Sequence, residues 1–157
     1  MTIKADYRQF VAEDKELVAI LAFLAGAVPV VYNRCEQLIV YTSLGLLAFV
    51  FLVCLTRYVM LVTRKWIISD EQLCSVKGVF ARHTDYIELY RIVDYKESQS
   101  LLQRLMGIKT VTVFSTDRSD AMMDIRGVSV DDDVIGHIRE KVENCKIDKR
   151  IYEITNN

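Results

Sequence analysis

The sequence predicts a helical hairpin followed by a mainly-β domain that ends in a helix. Two uncharged apolar runs, Leu17–Tyr32 and Leu38–Thr56, occupy the first third of the chain. Beyond them, short stretches rich in β-branched and aromatic residues alternate with turn residues every 8–12 positions or so, which is typical of antiparallel sheets. Near the end, apolar residues recur at helical spacing: Val134, Ile138 and Val142.

The two apolar runs are long enough to predict a pair of transmembrane helices. About 20 helical residues cross a hydrocarbon core of about 30 Å. The second run has 19 residues and the first has 16, flanked by Lys15 and Arg34, which can reach the headgroups. A buried hairpin of a soluble protein is the weaker alternative, because the remaining chain is too short to cover both helices. A signal peptide does not fit, because the start is mixed in charge and lacks a small-residue cleavage site.

Basic residues beside the apolar runs predict the orientation of the hairpin. Lys and Arg lie on both outer flanks, whereas the connection between the runs contains only Arg34. Because basic flanks stay inside, we expect a multi-pass protein of the cytoplasmic (inner) membrane with both termini in the cytoplasm. The expected membrane-interface anchors are Lys15, Arg57, Tyr58, Arg64 and Lys65.

These boundaries divide the chain into four expected units. They are a cytoplasmic lead-in (1–16), the hairpin (17–62, with helices over 17–33 and 38–57), a soluble domain (64–146) attached to the second helix, and a tail (147–157). The lead-in has helical spacing of apolar residues. It is either an amphipathic segment on the inner leaflet or a solvated approach to the first helix.

Within the soluble domain, hydrophobic periodicity predicts six strands and two helices. The strands are expected over 66–69, 72–77, 80–88, 92–98, 111–114 and 122–125. A short helix over 100–106 places Leu101, Leu102 and Leu105 on one face and ends at Gly107. A second helix is expected over 129–145, capped by Ser129 or Asp131.

Composition argues against several functional classes. From Arg57 onward, 16 basic residues are balanced by 16 acidic residues, which disfavours nucleic-acid binding. The four cysteines (Cys35, Cys54, Cys74 and Cys145) form no C-x-x-C pair and lie far from both histidines, so we expect no metal and no cofactor. Catalytic motifs are also absent from the sequence, and we expect no enzyme.

Four segments of the soluble domain carry a family resemblance. They are G-V-F-A-R-H-T (78–84), I-E-L-Y-R-I (87–92), Q-S-L-L-Q-R-L-M-G (99–107) and T-V-T-V (110–113). This pattern resembles the second family of bacterial pleckstrin-homology-like domains, which often follow two transmembrane helices. The resemblance implies an antiparallel β-barrel or sandwich capped by a C-terminal helix, without an established catalytic activity. The chain departs from the family at 115–120, where a polar turn replaces the usual glycine-rich one.

Basic residues in this domain are the candidates for contact with a partner or with lipid. We single out Lys77, Arg82, Arg91 and Arg104. They form no dense cluster of the kind that binds phosphoinositides. Arg91 and Arg104 have a structural alternative, since either could pair with Glu88, Asp94 or Glu97.

The expected function is that of a membrane-anchored interaction module that scaffolds or self-associates at the inner membrane. Its expected partners are the lipid bilayer and a homo- or hetero-oligomer of membrane proteins. One alternative is a sensor of anionic lipid headgroups, held near the inner leaflet by its anchor. A second alternative is a subunit of an oligomeric channel or transporter.

Overall fold

The described part of the chain contains seven strands and five α-helices. The computed structural model describes residues 1–34, 36–79, 81–117 and 121–149. The strands are β1 (Thr2–Lys4), β2 (Lys65–Ile68), β3 (Gln72–Lys77), β4 (His83–Glu88), β5 (Ile92–Ser98), β6 (Ile108–Ser115) and β7 (Met122–Ser129). The helices are α1 (Gln9–Glu13), α2 (Lys15–Arg34), α3 (Gln37–Thr63), α4 (Leu101–Met106) and α5 (Val134–Asp148).

The strands form two antiparallel sheets that enclose one core. Sheet 1 has the order β1-β2-β3-β4, and sheet 2 has the order β5-β6-β7. Inward side chains of both sheets are almost fully buried, among them Leu73, Ile87, Val111 and Ile125. The apolar stripe of α5, predicted from its spacing, is buried against the same core. The expected fold class, a helical hairpin plus a two-sheet domain with a C-terminal helix, is confirmed.

Helix α5 begins later than the sequence indicates. The expected start was Ser129 or Asp131, but Ser129 is the last residue of β7 and is held in the sheet. The cap is Asp133, whose side chain accepts a hydrogen bond of 2.9 Å from the backbone N–H of Gly136. The strand expected over 80–88 likewise begins at His83 in the described residues, and Phe80 lies outside them.

The largest difference from the sequence prediction is at the N-terminus. Residues 2–4, expected to belong to a lead-in, form β1 and pair with β2, with Ile3 opposite Trp66. A strand of three residues carries too little alternation to be recognised from sequence. Because α2 and α3 lie between β1 and β2, the chain leaves the β-domain after one strand and returns at the next. The domain is therefore joined to both helices of the hairpin.

Both hairpin helices are long and apolar enough to cross a membrane. The candidate spans are Lys15–Asn33 and Gln37–Thr63, of 19 and 27 residues. None of the first span and 11% of the second is buried. A buried hairpin of a soluble protein would be mostly covered, so this alternative does not describe the structure.

Helix α1 docks on β7 through a close backbone approach at Gly127. The N–H of Asp6 donates to the carbonyl oxygen of Gly127 at 2.9 Å. Gly127 has φ of +71°, and a Cβ at this position would lie 2.8 Å from Cβ of Gln9. Both the positive φ and the contact with Gln9 therefore require glycine.

Replacing Gly127 with alanine should loosen the junction between the hairpin and the β-domain. A side chain in this conformation costs about 1–2 kcal/mol by itself, and the clash with Gln9 adds to that cost. Gly107→Ala is the matched control, because Gly107 has φ of +67° but no atom within 4 Å of its Cβ position. Denaturation in detergent, followed by fluorescence of the single tryptophan, Trp66, should show a larger loss of stability for Gly127→Ala. Equal losses would contradict the docking.

Candidate interaction surfaces

The four basic residues selected from sequence lie in three separate places. Lys77 ends β3 and Arg82 directly precedes β4, so these two flank one turn. Arg91 lies in a 3-10 turn between β4 and β5. Arg104 lies on α4. The structure therefore does not assemble them into one cationic site.

Two of these basic residues form ion pairs with carboxylates of the same domain. Nζ of Lys77 lies 2.6 Å from Oδ2 of Asp85. Arg91 lies 3.4 Å from both Glu88 and Asp117. The pairing of Arg91 with Glu88 considered from sequence is therefore present.

Arg104 differs from Lys77 and Arg91 in having no ion pair with a described residue. One of its expected partners, Glu97, instead accepts a hydrogen bond of 2.7 Å from Lys109. Arg104 is exposed on α4. Its charge is thus available to a partner outside the chain.

The predicted interface anchors lie where the hairpin meets the β-domain. Lys15 begins α2, Arg64 follows the last residue of α3, and Lys65 begins β2. The guanidinium of Arg57 lies 3.6 Å from the carboxylate of Asp14. The ring of Tyr58 packs edge to face on Phe10, with centroids 5.7 Å apart.

A polar network joins α1 to the outer face of sheet 2. Arg126 bridges two carboxylates, since its guanidinium nitrogens lie 2.9 Å from both Glu13 and Asp124. The hydroxyl of Thr112 donates to Asp124 at 2.8 Å. Burial alone would raise the pKa of Asp124, but the hydrogen bonds from Arg126 and Thr112 outweigh it and lower that pKa.

Two buried glutamines extend this network to α4. The side-chain amide of Gln103 donates to the side chain of Gln9 at 2.9 Å and to the hydroxyl of Thr110 at 2.8 Å. The same glutamine completes a capping box with Ser100 at the start of α4. The motif that carried the family resemblance, Q-S-L-L-Q-R-L-M-G, thus fixes α4 against α1 and sheet 2.

A cavity of about 300 Å³ opens between β2–β3 and β7. Its lining includes three cations and two carboxylates: Arg64, Lys77, Arg126, Asp85 and Asp124. Trp66 also lines it, and Nε1 of this indole has no hydrogen-bond partner among the described residues. Because Lys77 and Arg126 are already paired with the carboxylates, the cavity presents little net charge to a ligand.

The outer face of sheet 1 carries an exposed row of uncharged side chains. Ile67, Cys74 and Tyr86 lie opposite one another in register across β2, β3 and β4. Ile67 is 38% exposed and Tyr86 is 53% exposed. Burial raises the pKa of the Cys74 thiol. We call these three residues the sheet-1 row.

Sequence reasoning did not find the sheet-1 row, because its members come from three strands. The signal that could have found it is local. One of the two outward positions of β2, Ile67, is apolar, although the solvated face of an antiparallel sheet is usually polar. Among the described residues, no group of three His, Cys, Asp or Glu side chains is arranged to hold a metal.

The carboxylate of Asp124 should make the junction sensitive to acid. Its folded pKa lies below the ordinary value of 3.8, so its contribution is complete above pH 3.8 and is lost as the pH falls through the folded pKa. We expect Asp124→Asn to cost about 1 kcal/mol at neutral pH, and the difference from wild type to shrink below pH 3.8. Urea titrations at a series of pH values measure the free energy of unfolding of wild type and variant, and Asp132→Asn, at an exposed position, is the control. A difference that persists unchanged at low pH would contradict this assignment.

Comparison with known proteins gives one family. The profile described as bacterial PH domain matches residues 17–143, from the first turns of α2 into α5. No curated protein and no solved structure matches the chain significantly. The match covers most of the chain, including the hairpin and every strand except β1. The resemblance seen in the sequence is thereby confirmed, and the chain belongs to the bacterial PH domain family.

Proposed function

We propose that this protein is a membrane-anchored interaction module that self-associates through the sheet-1 row. In this proposal α2 and α3 cross the inner membrane with both termini in the cytoplasm, and the β-domain lies at the cytoplasmic surface. The observation that carries the proposal is the uncharged row in which half-buried Cys74 lies between exposed Ile67 and exposed Tyr86. The proposed role is binding, without a catalytic step.

The apolar surface of the hairpin supports membrane insertion. Large side chains along both helices are open to the surroundings, including Phe23, Phe49 and Phe51, which are 75%, 64% and 56% exposed. Water would solvate such a surface poorly, whereas lipid would cover it. Lys15 begins the first candidate span, and Arg57 directly follows the uncharged run that ends at Thr56, as expected of residues at an interface.

The chemistry of the sheet-1 row supports a protein contact. Aromatic residues are enriched at protein interfaces, and charged residues are depleted at their centres. In a symmetric dimer the same patch meets its own copy. Cys74, as the middle member of the row, would then lie near its counterpart. Anchoring in one membrane raises the effective concentration of the two copies, so a small contact patch is enough to hold a dimer together.

The engaged basic residues favour this proposal over an anionic-lipid sensor. Lys77 and Arg91, two of the candidate lipid contacts, are paired with carboxylates of the same domain. Their charges are therefore partly neutralised before any lipid arrives. The sheet-1 row has no such internal partner and offers apolar surface instead.

Disulfide cross-linking at Cys74 tests self-association. We expect a chain in which Cys74 is the only cysteine to form a covalent dimer in membranes under mild oxidation. The reaction should be run at mildly alkaline pH, because burial raises the pKa of this thiol. Tyr86→Lys should abolish the dimer by placing a charge in the row, whereas Val93→Lys, at an exposed apolar position of β5, should not.

Two results would overturn the self-association. One is the absence of a dimer in membranes, with Cys74 still reactive towards a small maleimide. The other is a dimer that forms equally in the Tyr86→Lys and Val93→Lys variants, because the contact would then not involve the row.

Cysteine labelling in intact cells tests the membrane topology. In the proposed topology the connection between the hairpin helices lies outside the cytoplasm, so a chain whose only cysteine is Cys35 should react with a membrane-impermeant maleimide. A cysteine introduced at Val93 should react only after the cells are permeabilised. Each variant carries no other cysteine. The reverse pattern, or equal labelling of both positions in intact cells, would contradict the topology.

A further inference from the structure

Helix α4 lies on the outer face of sheet 2. Val111 and Val113 of β6 are fully buried in the core, so the alternate residues Thr110 and Thr112 face outward. Gln103 of α4 donates to the hydroxyl of Thr110. The side of α4 that carries Gln103 is therefore the side that rests on the sheet.

Helix α1 lies on the same face, beside α4. Glu13 of α1 pairs with Arg126, which stands opposite Thr110 in the β6–β7 register. Gln9 of α1 accepts the hydrogen bond from Gln103. Only Asp14 separates α1 from the first residue of α2. The hairpin thus begins next to α4.

Two leucines of α4 project away from the sheet. A helix turns about 100° per residue, so Leu101 and Leu105 each lie about 160° from Gln103 around the axis. They are 82% and 83% exposed. Arg104 lies between them in sequence, exposed and without an ion pair to a described residue. An exposed apolar pair on a capped helix is expected to be covered by a binding partner or by lipid.

We propose that Leu101 and Leu105 insert into the cytoplasmic leaflet of the bilayer that holds the hairpin. The proposal rests on the proposed membrane anchoring. It adds a second contact with lipid, made by the β-domain itself, with Arg104 close to the anionic headgroups. We call this pair of leucines the α4 wedge.

The level of α4 along the hairpin favours lipid as the occupant. Tyr58, which packs on Phe10 of α1, lies two residues beyond the apolar run that ends at Thr56. Helix α1, and α4 beside it, therefore lie just past the end of this uncharged run. The headgroup layer of one leaflet is about 5–7 Å thick, and interfacial helices bury their apolar side about 5–10 Å into this region.

A lipid contact at α4 would also adjoin the exposed surface of the hairpin, because α4 packs on α1 and only Asp14 separates α1 from α2. Basic residues beside an apolar pair are typical of segments that bind anionic leaflets.

Depth-dependent quenching in the full-length protein tests the α4 wedge. In a chain without native cysteines, an environment-sensitive fluorophore is attached to a cysteine at Leu105, Leu46 or Ile147. Leu46 lies within α3, and Ile147 is an exposed apolar residue of α5, 64% exposed. Each protein is reconstituted in nanodiscs that contain anionic lipid. The lipids carry a nitroxide either near the headgroup or deep in the acyl chain.

If the wedge inserts, the label at Leu105 is quenched several-fold more than the label at Ile147, and most by the shallow nitroxide. The label at Leu46 is quenched most by the deep nitroxide. Adding Leu101→Asp should reduce the quenching at Leu105, whereas Val93→Asp should leave it unchanged.

The failures of the two proposals are distinguishable. In one outcome the label at Leu46 is quenched, but the label at Leu105 is quenched no more than the label at Ile147. This outcome overturns the wedge and leaves the membrane anchoring intact. A Leu105 label that is shielded from water but not quenched by lipid also overturns the wedge, because a protein surface then covers it. Loss of quenching at Leu46 as well overturns the membrane anchoring.

Discussion

The structure depends on the close approach of Asp6 and Gln9 to Gly127. A chain that leaves the sheet after β1 must cross the edge of β7 before it can begin α2. The missing side chain and the positive φ of Gly127 make room for that crossing. The hydrogen bond from Asp6 to the carbonyl oxygen of Gly127 then fixes its direction. The packing of α1 against sheet 2 follows from this path.

One consequence is that the β-domain is attached to the hairpin at two packed connections. The chain enters α2 through α1 and returns from α3 into β2, and each passage is packed. Leu61 of α3 is buried in the core of the β-domain, and Arg126 holds Glu13 of α1. A domain attached by a single flexible linker would sample many orientations. Two packed connections restrict the domain to a narrow range of orientations relative to the hairpin.

A second consequence is that the two outer faces of the sandwich differ. The outer face of sheet 2 is covered by α1 and α4 through buried amides and ion pairs. The outer face of sheet 1 is open and carries the sheet-1 row. Lys77 and Arg91 are engaged within the domain, whereas the sheet-1 row presents uncharged side chains. This division supports protein binding at one face and lipid contact beside the other.

Local patterns in the sequence determined much of the fold, because their causes are local. Uncharged apolar runs predicted the two hairpin helices. For β3 and β5 the first and last residues predicted from the sequence are those of the structure. The family motif and Gly107 specified α4. Only the tertiary structure decided that residues 2–4 add an edge strand to sheet 1, that Ser129 stays in β7 opposite Ile108 so that α5 begins later, and that the leucines of α4 are exposed. These features depend on contacts between segments distant in sequence, such as Gln103 with Gln9, and periodicity along the chain contains no information about such pairs.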